Sequence, residues 1–337
     1  MKMTRYRLIC SVLIALLILA VLLSLSWGSY PMSLYDVGKT LLGQGSHMQK
    51  IALFTLRLPR ICIAMLVGSA LAIAGGLLQN ITKNDLADAG IIGINAGAAL
   101  AAVLFIFTQG TYYYQTMSHF SVFVLPVIAL LGAMLSTGVI YLISSRKELH
   151  PQRLLLTGIG VNIAINALIS FLTFKGSAGD YNRVLVWTNG SLWGSSWSYV
   201  LAIFPILFLV LCLVFYRHKT LDMMNLGDEL ATGLGIHVEK ERKRMLCYAV
   251  ILAGCATAVA GNISFLGLLG PHIARSVTGS QHKRYLPVSM MIAMIIILIA
   301  DSVSRNLFSP LEIPTGITIS LIGVPYFVYL MLKEKSL

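Results

Sequence analysis

In a chain of 337 residues, 57% are hydrophobic and only 11% are charged, whereas about a quarter are charged in soluble globular proteins. The net charge of +12 does not point to nucleic acid, because the basic residues sit in short loops at alternate ends of apolar runs. Composition therefore excludes a soluble globular enzyme and favours an all-α polytopic membrane protein.

A bilayer is crossed by about 20 apolar residues, and runs of that kind recur along the sequence. The first expected span covers residues 8–28, behind Lys2, Arg5 and Arg7. Its apolar stretch exceeds the 7–15 residues or so of a signal-peptide core and no small-residue cleavage site follows, so it reads as a retained span. The second span, 59–80, opens with Arg57-Leu-Pro-Arg60 and carries Ala64, Gly68, Ala72 and Gly76 four apart. The third, 91–109, repeats the device with Gly93, Gly97 and Ala101. Such stripes let helix backbones approach closely where lipid supplies no hydrophobic drive.

The fourth, fifth and sixth spans are placed at 120–144, 153–174 and 197–216, followed by a long polar segment at 216–244. The seventh is 243–262. The eighth, 265–280, is short and interrupted by Pro271; such an element survives in a membrane only where protein or water surrounds it. Spans at 285–304 and 314–332 complete ten, within one permease domain of residues 1–337. Each half has a small-residue-rich span followed by a Gly/Pro/Asn-interrupted stretch and a short span, so inverted five-helix repeats are expected. With the N-terminus in the cytoplasm, the inner segments hold seventeen Lys and Arg and the outer ones seven, leaving Arg275 unassigned. Both termini are then cytoplasmic, in the cell membrane.

No enzyme constellation is present. His47, His119, His150, His218, His237, His272 and His282 are scattered without metal-ligand spacing, so no metal or other cofactor is expected. Gly38-Lys39-Thr40 lacks the upstream glycine of a phosphate loop, since Ser33 stands in its place. The five cysteines lie in apolar spans with no CxxC pair and read as packing. Intramembrane ionisable residues, the usual sign of an ion-coupled carrier, are almost absent: Asp301 sits at a span end. This favours a passive path gated by a partner.

Segment 216–244 is the natural seat for that partner. Leu221, Met224, Leu230, Leu234 and Ile236 supply apolar faces, and Gly227, Gly233 and Gly235 divide it into two short helices. A loop lying on the headgroups fits the same residues. On the outer side Arg57, Arg60 and Arg305 oppose the charge bias. They either snorkel to lipid phosphates or pair with carboxylates of a docked partner.

Arg57-Leu-Pro-Arg60, Leu66–Gly75, Gln79–Asp88 leading to Gly93-Ile-Asn-Ala-Gly97, and Trp187–Trp193 stand in order along the chain. Leu234-Gly-Ile236, Phe265–His272, Ala300-Asp301, Glu312-Ile-Pro-Thr-Gly316 and Leu321–Pro325 follow. In order and spacing these segments closely resemble the FecCD family of ABC importer permeases, which includes the vitamin B12 and iron–siderophore permeases. One departure is clear. The family's usual Asn-Pro-Leu-Ala-Asp-Pro loop reads Asn84-Asp-Leu-Ala-Asp-Ala89 here, without either proline.

The resemblance implies a type II ABC importer permease that pairs with a second permease, identical or paralogous, around a central path. It implies that ATP hydrolysis resides on ABC ATPase subunits. These would grip two coupling helices within 221–238, through Leu221, Met224, Leu226, Gly227, Asp228, Glu229, Leu230, Gly233, Leu234 and Gly235. Arg57, Arg60 and Arg305 would meet glutamates of an extracellular solute-binding protein. The path would be lined from the fifth span, where Asn162, Asn166, Ser170 and Thr173 lie among apolar residues; the same residues could instead bond neighbouring helices. A ferric siderophore is the expected cargo, with vitamin B12 or haem as alternatives. An ion-coupled secondary carrier predicts intramembrane charges that are mostly missing, and a membrane sensor predicts a soluble domain for which no stretch is long enough.

Overall fold

The computed structural model describes residues 3–28, 30–115, 123–145, 151–176, 178–307 and 311–334, and each of the ten expected spans contains a helix. The first residues of the expected fourth span, 120–122, lie outside the described part. In chain order the long helices are α1 (Met3–Ser26), α4 (Leu58–Thr82), α6 (Ile94–Gln115), α7 (Val124–Ser144), α8 (Pro151–Lys175), α10 (Trp197–Tyr216), α13 (Val238–Ala260), α15 (His282–Asn306) and α16 (Thr315–Glu334). Between them lie α2 (Leu34–Leu41), α3 (His47–Lys50), α5 (Ala89–Ile92), α9 (Ala178–Thr188), α11 (His218–Asn225), α12 (Asp228–Gly233) and α14 (Leu266–Thr278).

Among the described residues, eight helices are long and apolar enough to cross a membrane. The other two expected spans are shorter. The apolar part of α6 is Ile94–Thr108, and α14, with 13 residues, reaches only about 20 Å at about 1.5 Å per residue.

Helix α4 is the axis of the bundle: 83% of its apolar window is buried, against 17% for α1 and α8. Its stripe of small residues explains this. A Cβ on Gly68 would lie 3.1 Å from the carbonyl oxygen of Ala293 in α15, and one on Gly75 would overlap the carbonyl of Gly267 in α14. On α6, Gly97 packs in the same way against Gly132 and Ser136 of α7.

The expected interruption at Pro271 is corrected: α14 continues through the proline and is supported there by α4. Proline has no N–H, so the carbonyl four residues earlier, on Gly267, loses its helical donor. Gln79 Nε2 of α4 donates to it at 3.4 Å. The same Gln79 accepts through Oε1 from Arg275, which also pairs with Asp85, so Arg275 lies at the 216–244 end of the bundle.

Residues 83–88, which lack the two prolines, are held by local hydrogen bonds. Lys83 closes α4 with φ +52°, Asn84 Oδ1 accepts from Leu86 N at 2.8 Å, and Asp88 Oδ1 caps α5 through Ala89 N at 2.8 Å. Asp88 turns back into the bundle against Gly267, and its other oxygen accepts from Phe265 N at 3.2 Å. One carboxylate thus fixes the start of α5 and the start of α14. Ala87–Ala89 are buried among the helices.

Other boundaries also move. The second span starts earlier than expected, because α3 and a π-helical turn at Ile51–Arg57 run directly into α4. Helix α13 begins at Val238, so the run Glu239–Arg244 forms its first turns; Glu239 and Glu241 there oppose the positive end of the helix dipole. Helices α2 and α9 occupy stretches for which no element was expected.

Candidate functional site

Two polar clusters stand at opposite ends of the bundle. At the end expected to face outward, α4, α15 and the segment before α16 bring Arg57, Arg60 and Arg305 together with two carboxylates. Arg60 is the hub. Its Nε lies 3.1 Å from both oxygens of Asp301, its Nη2 2.9 Å from Oδ1, and its Nη1 2.9 Å from Oε2 of Glu312. Arg305 Nε lies 3.2 Å from Asp301 Oδ2, and Thr315 donates to Oδ1 at 3.1 Å.

Arg57 is used differently. Its guanidinium donates to the carbonyls of Leu25, Ser26 and Tyr30, of which the first two are end-of-helix acceptors of α1 without an intrahelical donor. Gly28 leaves room for it: a Cβ there would sit 3.0 Å from Nη2. The three arginines that the sequence assigns to docking are therefore brought together, but they fold inward. Arg57 and Arg305 are buried, while Arg60 keeps 11% and Glu312 29% of its side chain exposed.

Three cations against two anions leave this cluster one positive charge in excess. It lines a pocket of about 270 Å³ with Tyr30 and Trp193 at its edge. Neither Asp301 nor Glu312 was assigned a role from the sequence. The signal was available for Asp301, since a carboxylate at a span end is stable only when paired.

At the opposite end, α11 and α12 are the two short helices expected in 216–244, separated at Gly227, whose φ is +108°. Leu221 and Met224 are fully buried and fix the segment to the bundle. Lys83 Nζ donates to Met224 O, and Arg242 Nη2 holds Asp228 Oδ2 at 2.7 Å. Leu226, Leu230 and Leu234 point the other way, each about 60% exposed. Glu229, Gly233 and Gly235 are exposed with them.

The fifth-span residues divide. Asn162 Nδ2 donates to Gly90 O at 3.0 Å and so bonds α8 to α5. Asn166 donates to Asn162, Ser170 to Asn166 O and Thr173 to Ile169 O, each along α8 itself. Asn166 and Ser170 remain on an exposed face, beside Ile163 and Phe174.

Residues 16–333 match the model of the FecCD transport family. The chain belongs to that family. It is 42% identical over 335 residues to the iron(3+)-hydroxamate import system permease protein FhuG of Bacillus subtilis, covering 99% of each chain. It is 40% identical over 333 residues to the Fe(3+)-citrate import system permease protein YfmE of the same organism, covering 96% of each. A solved inward-facing structure described as a metal-chelate type ABC transporter superposes with a TM-score of 0.82 at 28% identity, over 97% of this chain and 99% of that one.

Proposed function

We propose that this FecCD permease is the membrane-spanning subunit of an ATP-driven importer for ferric siderophores, of the iron–chelate class that its relatives are named for. A solute-binding protein delivers the chelate at the arginine end. ATPase subunits grip α11 and α12 at the other end, which is cytoplasmic together with both termini. The exposed Leu226, Leu230 and Leu234 supply an apolar contact for the ATPase, next to a buried anchor that transmits force. Asn166 and Ser170, polar and exposed on a membrane helix, are stable only against protein or water. They support pairing of two permease subunits through α8 around a wet path. A path of this kind, weakly polar and uncharged, lets a bulky chelate pass without being held.

The observation that carries the docking assignment is the arginine cluster with its one uncompensated positive charge. Buried Asp301 holds Arg60 in place, and the half-exposed Glu312 occupies the remaining guanidinium face. A carboxylate of the binding protein takes that face by displacing Glu312. The test measures affinity of the purified permease–ATPase complex for its solute-binding protein. Arg60→Gln weakens binding by about tenfold or more, and Glu312→Gln strengthens it by a factor of about three. Unchanged affinity in Arg60→Gln contradicts docking at this cluster. Weaker binding in Glu312→Gln contradicts the exchange.

A further inference from the structure

The coupling segment is joined to the bundle by a buried polar knot that docking and ATPase contact do not explain. Its centre is His282, the first residue of α15, which is 1% exposed. Asp222 of α11 accepts twice from it at one oxygen: from the backbone N–H at 2.8 Å and from ring Nδ1 at 2.6 Å. The other ring nitrogen, Nε2, lies 3.4 Å from Nδ2 of Asn80, two residues from the end of α4. Asn80 Nδ2 also faces Asn225 Oδ1 at 2.6 Å and Leu221 O at 3.3 Å, both on α11.

The tautomer that suits both neighbours is neutral, with the proton on Nδ1 toward Asp222 and a lone pair on Nε2 toward the Asn80 amide. The knot thus ties α11 to α4 through Asn80 and to α15 through His282, and the Asn80–His282 contact joins α4 to α15. Movement of α11 reaches these helices sideways, through three side chains, as well as along the chain through α10 and α13. Two further features adjoin the knot. Asn80 Oδ1 is buried without a hydrogen-bond partner among the described residues, so the amide has a second acceptor orientation in reserve. A polar cavity of about 530 Å³, lined by Asn80, Asp222, Arg275 and Tyr285, borders it and leaves space for displacement.

We propose that Asp222, His282 and Asn80 are positioning residues for transport: they form the joint that transmits displacement of α11 to α4 and α15. The inference rests on reading 216–244 as the ATPase-coupling segment. Because α4 is the axis of the bundle and carries Arg60 at its other end, this joint also gives the coupling segment a direct mechanical line to the docking cluster.

The experiment uses the complete transporter in vesicles, with its ATPase and binding protein, and reads ferric hydroxamate transported per ATP hydrolysed. Asp222→Ala lowers that ratio by about tenfold, within the usual range of coupling energies between sites. Asp222→Asn restores it, since the amide oxygen still accepts both His282 N–H groups. His282→Asn is a milder variant that keeps a donor toward Asp222 and loses the acceptor facing Asn80; it lowers the ratio by a smaller factor. An unchanged ratio in both Asp222→Ala and His282→Asn overturns the joint, as does an equal loss in Asp222→Asn. Leu230→Asp, on the exposed face, tests the underlying reading separately. Loss of ATPase association upholds the coupling segment, and retained association overturns it whatever the joint does.

Discussion

At Arg60 one guanidinium serves two carboxylates that differ in burial, and the difference assigns them different work. Asp301 is 4% exposed and also faces Arg305 and Thr315. Removing its charge leaves buried Arg305 without a carboxylate and Arg60 with Glu312 alone, and breaking a buried pair costs about 3–5 kcal/mol. Asp301→Asn should therefore lower the unfolding temperature of the detergent-solubilised protein markedly. Glu312→Gln, half-exposed and with one contact, should cost less than about 1 kcal/mol. Equal shifts would contradict this division of roles. The sequence shows the arginines through Arg57-Leu-Pro-Arg60, and it shows that Asp301 needs a partner. It does not show which one, because the partners are 241 residues apart and only the packing of α15 on α4 joins them. For the same reason, the inward turn of Arg57 onto the end of α1 was not legible.

Among the elements, the long uncharged helices were readable because hydropathy alone specifies them. The breaks were readable only in part. Pro271 and Gly227 mark interruptions in the sequence; the chain does break at Gly227, but α14 runs on through Pro271. The compensation is not local: Gln79 of α4 satisfies the carbonyl that Pro271 frees, and Asp88 fixes two helix starts that are far apart in the chain. The α4–α14 contact depends on the absence of side chains at Gly75 and Gly267. Gly75→Val should force these backbones apart, cost at least about 1–3 kcal/mol and abolish transport, whereas Gly138→Val, where nothing lies within 4 Å, should do neither. Transport and thermal unfolding of the two variants check this.

The attachment of α11 has a pH signature of definite sign. Burial pushes the Asp222 carboxyl up, but the bonds from the His282 ring and backbone outweigh it and hold it below its ordinary value. A lowered carboxyl stabilises the attachment at pH above the free value, about 3.9, and the contribution is lost as pH falls through the lowered one. A spin label at Lys219→Cys on α11 should keep one mobility from about pH 7 to about pH 4 and loosen only below that. Loosening near pH 6 would contradict Asp222 as the controlling group.

For the whole molecule, the two ends of one central helix are tied to the two polar clusters. Helix α4 carries Arg60 near its first end, where docking is proposed, and Asn80 near its last, where coupling is proposed, and it is the most buried of the eight candidate spans among the described residues. That arrangement suits a subunit driven from outside itself. The measurement that tests this most directly is uptake of radiolabelled ferric hydroxamate into vesicles holding the permease, its ATPase and its binding protein. Uptake should require ATP inside the coupling compartment and the binding protein on the opposite side, and should persist when the proton and sodium gradients are collapsed. Uptake that continues without ATP, or that stops when the ion gradients are collapsed, would contradict the account.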